Sequence, residues 1–318
     1  MPEWLIERGT GEIRAALVHD GEIIEARIQL EGSTPAGSVI SARLVDTGIN
    51  GRNAVAVTEG GIEYLLPRGA PGVTDGALLN IEVTREAIPG AEPWKRPLAK
   101  TSPTEPSHAP ALAGRELPFP AATDELGKSG WNDLIEEARS GIVGFAGGEL
   151  RISATPAMTL IDVDGYLPPD EIAVLGATEA AKSIRRLDIG GSIGIDLPTV
   201  NSKAARQQAA AAIDAVLPQP FERTAVNGFG FVQVVRPRLR ASMIELAQDR
   251  AAFEARALLR RAAFEPPGPK RLVAHPAIIA VLEKRSDWLD ALARQIGGKV
   301  ELRADAALPI SAAYAENV

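Results

Sequence analysis

Apolar and polar positions alternate from Trp4 to Leu30 (WLIERGTGEIRAALVHDGEIIEARIQL), and the pair Asp20-Gly21 interrupts the run. A period of two broken by Asp-Gly predicts a β hairpin. Short strand-like runs follow at VISARLV, AVAVT, EYLLP and LLNIEVTREAI, each set off by glycine or proline. Such closely spaced short strands predict a small barrel. From Pro89 to Asp124 eight prolines fall in a stretch without sustained periodicity, which predicts a linker or an extended arm.

Beyond that stretch the period becomes mixed. WNDLIEEAR predicts a helix, ELRIS and AMTLIDV strands, Thr178 to Ile189 a helix with Thr178 as its cap, and SIGIDL a strand. An alanine-rich helix from Ser202 to Leu217, the strand FVQVV and a long helix from Ser242 to Phe264 come next. This alternation is that of an α/β domain with short connections. Residues from Arg271 to Asp305 repeat strand, helix, helix, strand on a smaller scale. The apolar face of the long helix (Ile244, Leu246, Ala251, Phe253, Leu258, Leu259) predicts core or a subunit interface.

Two predicted strands end in acids. TLIDVDG places Asp162 and Asp164 two residues apart, hence on one face, and GSIGIDLPT delivers Asp196 at the end of another apolar run. Strand ends are where ligands meet a sheet, so neighbouring ends of this kind can converge on one divalent cation. The same acids could also serve only to cap turns or the helices that follow. GATEAAKS at Gly176 to Ser183 has the spacing of a phosphate-binding loop, but Ala181 stands where the second glycine belongs, and a helix start explains the string better.

Composition narrows the chemistry. There is no cysteine and only three scattered histidines, His19, His108 and His275. A zinc site is therefore not expected, and a catalytic metal would sit on carboxylates, whose hard oxygens favour magnesium, with manganese also possible. A formal charge of −7 argues against a phosphate-rich partner, yet Arg236 to Arg271 holds nine basic residues against four acids, so a basic face is expected in the C-terminal half. No stretch is long and apolar enough for a membrane helix, and no secretion signal opens the chain, which predicts a cytoplasmic protein that does not engage membranes.

The core stretches GELRISATPAMTLIDVDG, EAAKSIRRLDIGGSIGIDL and VNGFGFVQVVRPRLR resemble the catalytic core of the ribonuclease E/G family. GEIRAALVHDGEIIEARI is similar to the family's N-terminal strands, GSVISARLVDT through GALLNIEVTREAI to its RNA-binding barrel, and RLVAHPAIIAVL to GGKVELRAD to its small C-terminal domain. The resemblance runs nearly end to end with large gaps. It implies a mixed α/β (α+β) protein with N-terminal strands over 1–36, an OB-type barrel over 37–88, a proline-rich linker over 89–125, a DNase I-like catalytic domain over 126–241, and a long helix with a small C-terminal domain over 242–318. The implied activity is magnesium-dependent endoribonucleolytic cleavage of single-stranded RNA. A relative that binds RNA or protein without cutting is the alternative.

By the same resemblance, Asp162 and Asp196 match the metal-binding aspartates, and Asp164 stands where the family has an asparagine. Arg236 and Arg238 match a basic pair, with Gln233 in place of the family's glutamate, and Arg185 and Asp188 fall on matching positions. For the arginines the choice is between phosphate contact and a solvated charged edge. The chain departs from the family in lacking the insertion that senses a 5′-monophosphate and the cysteine link through zinc, so a homodimer would need other contacts. The loop after Asp162 (GYLPPDEIAV) is shorter and lacks its arginines. On the barrel Val55 and Leu65 occupy the positions of the RNA-stacking aromatics, with Tyr64 as a substitute. Trp4, Trp94, Trp131 and Trp288 are expected to be packing anchors, while Trp94 beside Lys95 and Arg96 could touch RNA.

Overall fold

The computed structural model describes residues 1–90 and 95–318; the expectation for Trp94 lies outside the described residues. The alternating N-terminal run forms a meander of β1 (Glu3–Gly9), β2 (Glu12–His19) and β3 (Glu22–Leu30). Asp20 and Gly21 join β2 to β3 with φ of 51° and 86°, the consecutive positive values that a tight hairpin turn requires.

Next comes a closed five-stranded barrel of β4 (Val39–Asp46), β5 (Ala54–Val57), β6 (Glu63–Leu66), β7 (Leu78–Arg85) and β8 (Leu98–Thr101), in the order β4-β5-β6-β8-β7. The barrel therefore extends beyond residue 88. Its closing strand lies inside the proline-rich stretch, where LAKT is too short to show a period. The same stretch supplies β9 (Arg115–Leu117), which pairs in parallel with β1 and completes a sheet ordered β3-β2-β1-β9. The arm is thus built into two sheets instead of linking two bodies freely.

After α1 (Glu125–Lys128) and α2 (Trp131–Ser140) come β10 (Ile142–Phe145), β11 (Gly148–Ala154) and β12 (Thr159–Gly165). Helix α3 (Pro169–Arg186), β13 (Gly191–Asp196), α4 (Lys203–Val216), β14 (Glu222–Arg223) and β15 (Phe231–Arg236) complete a six-stranded sheet ordered β10-β11-β12-β13-β15-β14. Helix α3 begins well before Thr178, which sits mid-helix with its hydroxyl donating to the Val174 carbonyl at 2.8 Å. The start is set by Pro169 in the first turn with Asp170 and Glu171 beside it, both favoured at a helix N-terminus.

Helix α3 is inserted between this sheet and β3, so one face of the six-stranded sheet is covered. A Cβ at Gly176 would come within 2.2 Å of Val163 on β12. The glycine of GATEAAKS thus serves close approach of helix and strand. The other sheet face, with Ile142, Arg151, Leu160, Asp162 and Val235, is open to solvent.

The predicted long helix is two helices, α5 (Met243–Gln248) and α6 (Arg250–Phe264), because Asp249 ends one and caps the next by accepting from the Ala252 amide. Ile244 and Leu246 on α5 and Phe253, Leu258 and Leu259 on α6 are buried within the chain, as core and not as a subunit surface. The C-terminal unit holds β16 (Lys270–Ala274), α7 (Pro276–Glu283), α8 (Ser286–Ile296), β17 (Val300–Ala304) and β18 (Tyr314–Asn317), with strands ordered β17-β16-β18.

Three apolar cores result. One is shared by the N-terminal strands and the central α/β region, one fills the barrel and one fills the C-terminal unit. The first is stitched to the third by buried ions. Arg14 binds Glu7 at 2.6 Å and Glu12 at 2.7 Å, Arg256 binds Glu12 at 2.9 Å, and Arg260 binds Glu7 at 2.9 Å and Asp124 at 2.6 Å. Among the described residues no helix is long and apolar enough to cross a membrane.

Candidate functional site

Along β12 the side chains of Thr159, Ile161 and Val163 are buried, so those of Leu160, Asp162 and Asp164 must face the open side. β13 runs parallel to β12 in a register that sets Ile161 opposite Ile195 and Asp162 opposite Asp196. Register partners on parallel strands share a face, and neighbouring strands lie about 4.8 Å apart. The two aspartates that the sequence singles out therefore meet side by side at the exposed carboxyl end of β13.

The antiparallel neighbour β11 sets Arg151 opposite Asp162 and Glu149 opposite Asp164, and Arg151 donates to Glu149 at 2.5 Å. Four acids thus surround one base. Partial desolvation pushes the Asp162 carboxyl above its ordinary range, and the like charges of Asp164 and Asp196 push the same way, against the pull of Arg151. Among the described residues, no group of three or more histidine and acidic side chains is placed to enclose a metal ion. Asp162 and Asp196 are the register pair on this face, and magnesium commonly takes one or two carboxylates and completes its shell with water and substrate phosphate.

The predicted cationic partners lie elsewhere. On β15, Phe231 is opposite Asp196 while Arg236 is opposite Gly191, five residues along a strand or about 17 Å. The Arg236 guanidinium donates to the Ile184 and Ile189 carbonyls at 3.3 and 3.2 Å, and burial lowers its pKa. The end of α3 leaves carbonyls that need donors, and Arg236 meets that need. Arg238 is paired with Glu245, Arg185 with Glu25 at 3.4 Å, and Asp188 with Arg240 at 2.9 Å. These arginines brace the end of the sheet away from Asp162 and Asp196.

Lys95 donates to the Pro156 carbonyl at 2.6 Å, in the turn at the start of β12, and Arg96 binds Glu63 at 2.5 Å on the barrel. Tyr64 is not a surface platform: it is 3% exposed and part of the barrel core, because its strand alternates and Leu65 takes the outward position. The basic run from Arg236 to Arg271 is not a face either, since Arg256, Arg260 and Lys270 are buried and Arg271 is paired with Glu301. Trp131 and Trp288 are buried anchors as expected, and Trp4 lies under the Arg27 guanidinium at 4.6 Å.

Arg151, Glu149 and Phe231 were missed by motif reading. Their positions follow from pairing: once Thr155 to Met158 is recognised as the β11–β12 turn, Arg151 must oppose Asp162. No protein-family profile matches the chain, and no curated protein matches it significantly.

Proposed function

We propose that the protein is a magnesium-dependent phosphodiesterase acting on single-stranded RNA, a shortened relative of the ribonuclease E/G family. The observation that carries this is the register pairing of Asp162 with Asp196 on the open sheet face. Like charges held there raise the free energy of the cation-free state, so a divalent cation is the ligand that the pair fits. A magnesium ion bound there would polarise a scissile phosphate and acidify an attacking water. Asp162 and Asp196 would hold the ion and Asp164 would accept a hydrogen bond from its water shell. Arg151 is the cation placed to orient a phosphate oxygen.

The barrel's strand order, first to fourth and third to fifth, is that of an OB fold, a common reader of single strands, and we assign it to RNA binding. The six-stranded sheet with its acidic carboxyl end fits a DNase I-like catalytic domain. Alternatively, the protein binds RNA or another protein without cutting. The separation of Arg185, Arg236 and Arg238 from the carboxylates and the burial of Tyr64 favour that alternative.

Cleavage of a fluorescent A/U-rich single strand, with and without magnesium, separates the two. The nuclease requires magnesium-dependent cutting that falls by about 100-fold or more in Asp162→Asn and Asp196→Asn, since metal-assisted charge stabilisation is worth several kcal/mol. Retained RNA binding with no cutting by the wild type establishes the non-catalytic relative.

A further inference from the structure

Aromatic residues are scarce in this chain, yet the two most exposed among the described residues flank the carboxylates. Tyr166, 84% exposed, follows the end of β12, and Phe229, 81% exposed, lies two residues before Phe231, the register partner of Asp196. A solvent-facing phenylalanine on a floppy loop would mean little. The Phe229 turn, however, is held by hydrogen bonds at Asn227, Phe229, Gly230 and Phe231. The Asn227 Oδ1 accepts from the amides of Phe229 and Phe231 at 2.9 and 3.1 Å, and the Thr199 hydroxyl donates to the Phe229 carbonyl at 3.2 Å. Gly230 has φ of 92°, and a Cβ there would lie 2.1 Å from the Leu197 carbonyl, so only glycine lets the turn close.

Phe231 adds a floor. A Cβ at Gly194 would come within 2.6 Å of the Phe231 ring and 3.0 Å of Leu160, so the ring lies over the bare backbone of β13, on the same face as Asp196. An apolar protein partner fits this patch poorly, because covering it would also desolvate Asp162, Asp164 and Asp196 without neutralising them. A nucleotide presents a flat base to the rings and, through its phosphate and bound cation, compensates the acids.

We propose that Phe229, with Phe231 as its apolar floor, is a stacking platform for one nucleobase of single-stranded RNA adjacent to the phosphate held at Asp162 and Asp196. The assignment rests on the RNA reading of that site. It places base stacking on the catalytic sheet, where the barrel positions Val55 and Leu65 are aliphatic.

The test uses the full chain and a short oligouridylate, with calcium replacing magnesium to bind without cutting. In Phe229→Trp the introduced indole should be quenched by oligouridylate and not by an abasic strand of equal length, measured against the wild-type background. Phe229→Ala should weaken binding by roughly 5- to 150-fold, the usual span for losing one stacked base, with Phe229→Tyr restoring it. Quenching without any cutting in magnesium supports the platform while removing the nuclease. Cutting with no quenching, and with KM unchanged in Phe229→Ala, overturns the platform while leaving the nuclease. An indole shift that depends on protein concentration without RNA, together with a dimer lost in Phe229→Ala, overturns it in favour of a second copy of this chain.

Discussion

Two of the charge clusters in this molecule are built on opposite terms. At the joint between the N-terminal strands and α6, Glu7, Glu12 and Asp124 meet Arg14, Arg256 and Arg260, three acids against three bases, with Glu7, Glu12 and all three arginines buried. On the open sheet face the acids Asp162, Asp164, Asp196 and Glu149 stand beside one base among the described residues of these three strands, Arg151, which is bonded to Glu149. The first cluster is balanced in charge within the fold. The second is left short of positive charge in solvent, where an external cation can supply it. Burial and pairing mark a strut; exposure and imbalance mark the candidate site.

The comparison is sharpest at Arg260. Arg260→Ala leaves Glu7 buried without one of its partners, and chemical denaturation should register a loss of about 3–5 kcal/mol. Phe264, whose ring lies against Arg260 at 4.8 Å, would lose its cationic partner as well. A smaller break comes from Gly9→Ala: the new methyl would lie 2.3 Å from the Arg14 guanidinium, and overpacking of this kind costs about 1–3 kcal/mol. By contrast, Gly144 on β10 has nothing within 4 Å of an added Cβ. Gly144→Ala should raise stability by up to about 1 kcal/mol by restricting the unfolded chain.

The smallest effect tests the sign of the second cluster. Because the folded-state pKa of Asp162 is raised, its ionisation disfavours the native state as pH climbs from the ordinary aspartate range through that raised value, and the penalty is fully present above it. Asp162→Asn without divalent cation should therefore raise Tm slightly, by no more than ~2 °C given its exposure, and the gain should vanish below the ordinary aspartate range. Asp124 has the opposite sign. Burial works against its charge, but hydrogen bonds from Arg260 and the Gly127 amide hold its carboxyl below the ordinary range. Its stabilisation is present above that range and is lost as pH falls through the lowered value. Thermal melts of Asp162→Asn and Asp124→Asn across acid pH should accordingly diverge.

Much of the candidate site's geometry was legible in local pattern. Alternation over TLIDVDG and GSIGID fixes which acids face outward, and two parallel strands of matching apolar length bring Asp162 against Asp196. What escaped was either too short or too distant. LAKT gives too few residues for a period, so the closing barrel strand was hidden among prolines. The start of α3 at Pro169 did carry a signal in Pro-Asp-Glu, but the loop-like GYLPP preceding it obscured the boundary. The arginines misled because charge along a chain says nothing of partners far away in sequence. RAAFEARALLRRAAF resembles an amphipathic helix with a basic face, whereas Arg256 and Arg260 turn inward to acids on the first two strands.

That last pairing bears on how the chain is made. Glu7 and Arg260 are separated by 253 residues, and synthesis at about 5–20 residues per second puts roughly 13–50 s between their appearances. For that interval the opening meander carries acids whose native counterions do not yet exist. The meander is thus made well before the helix that locks it, so a nascent chain halted before α6 should expose β1 to β3 to protease while the barrel is already protected.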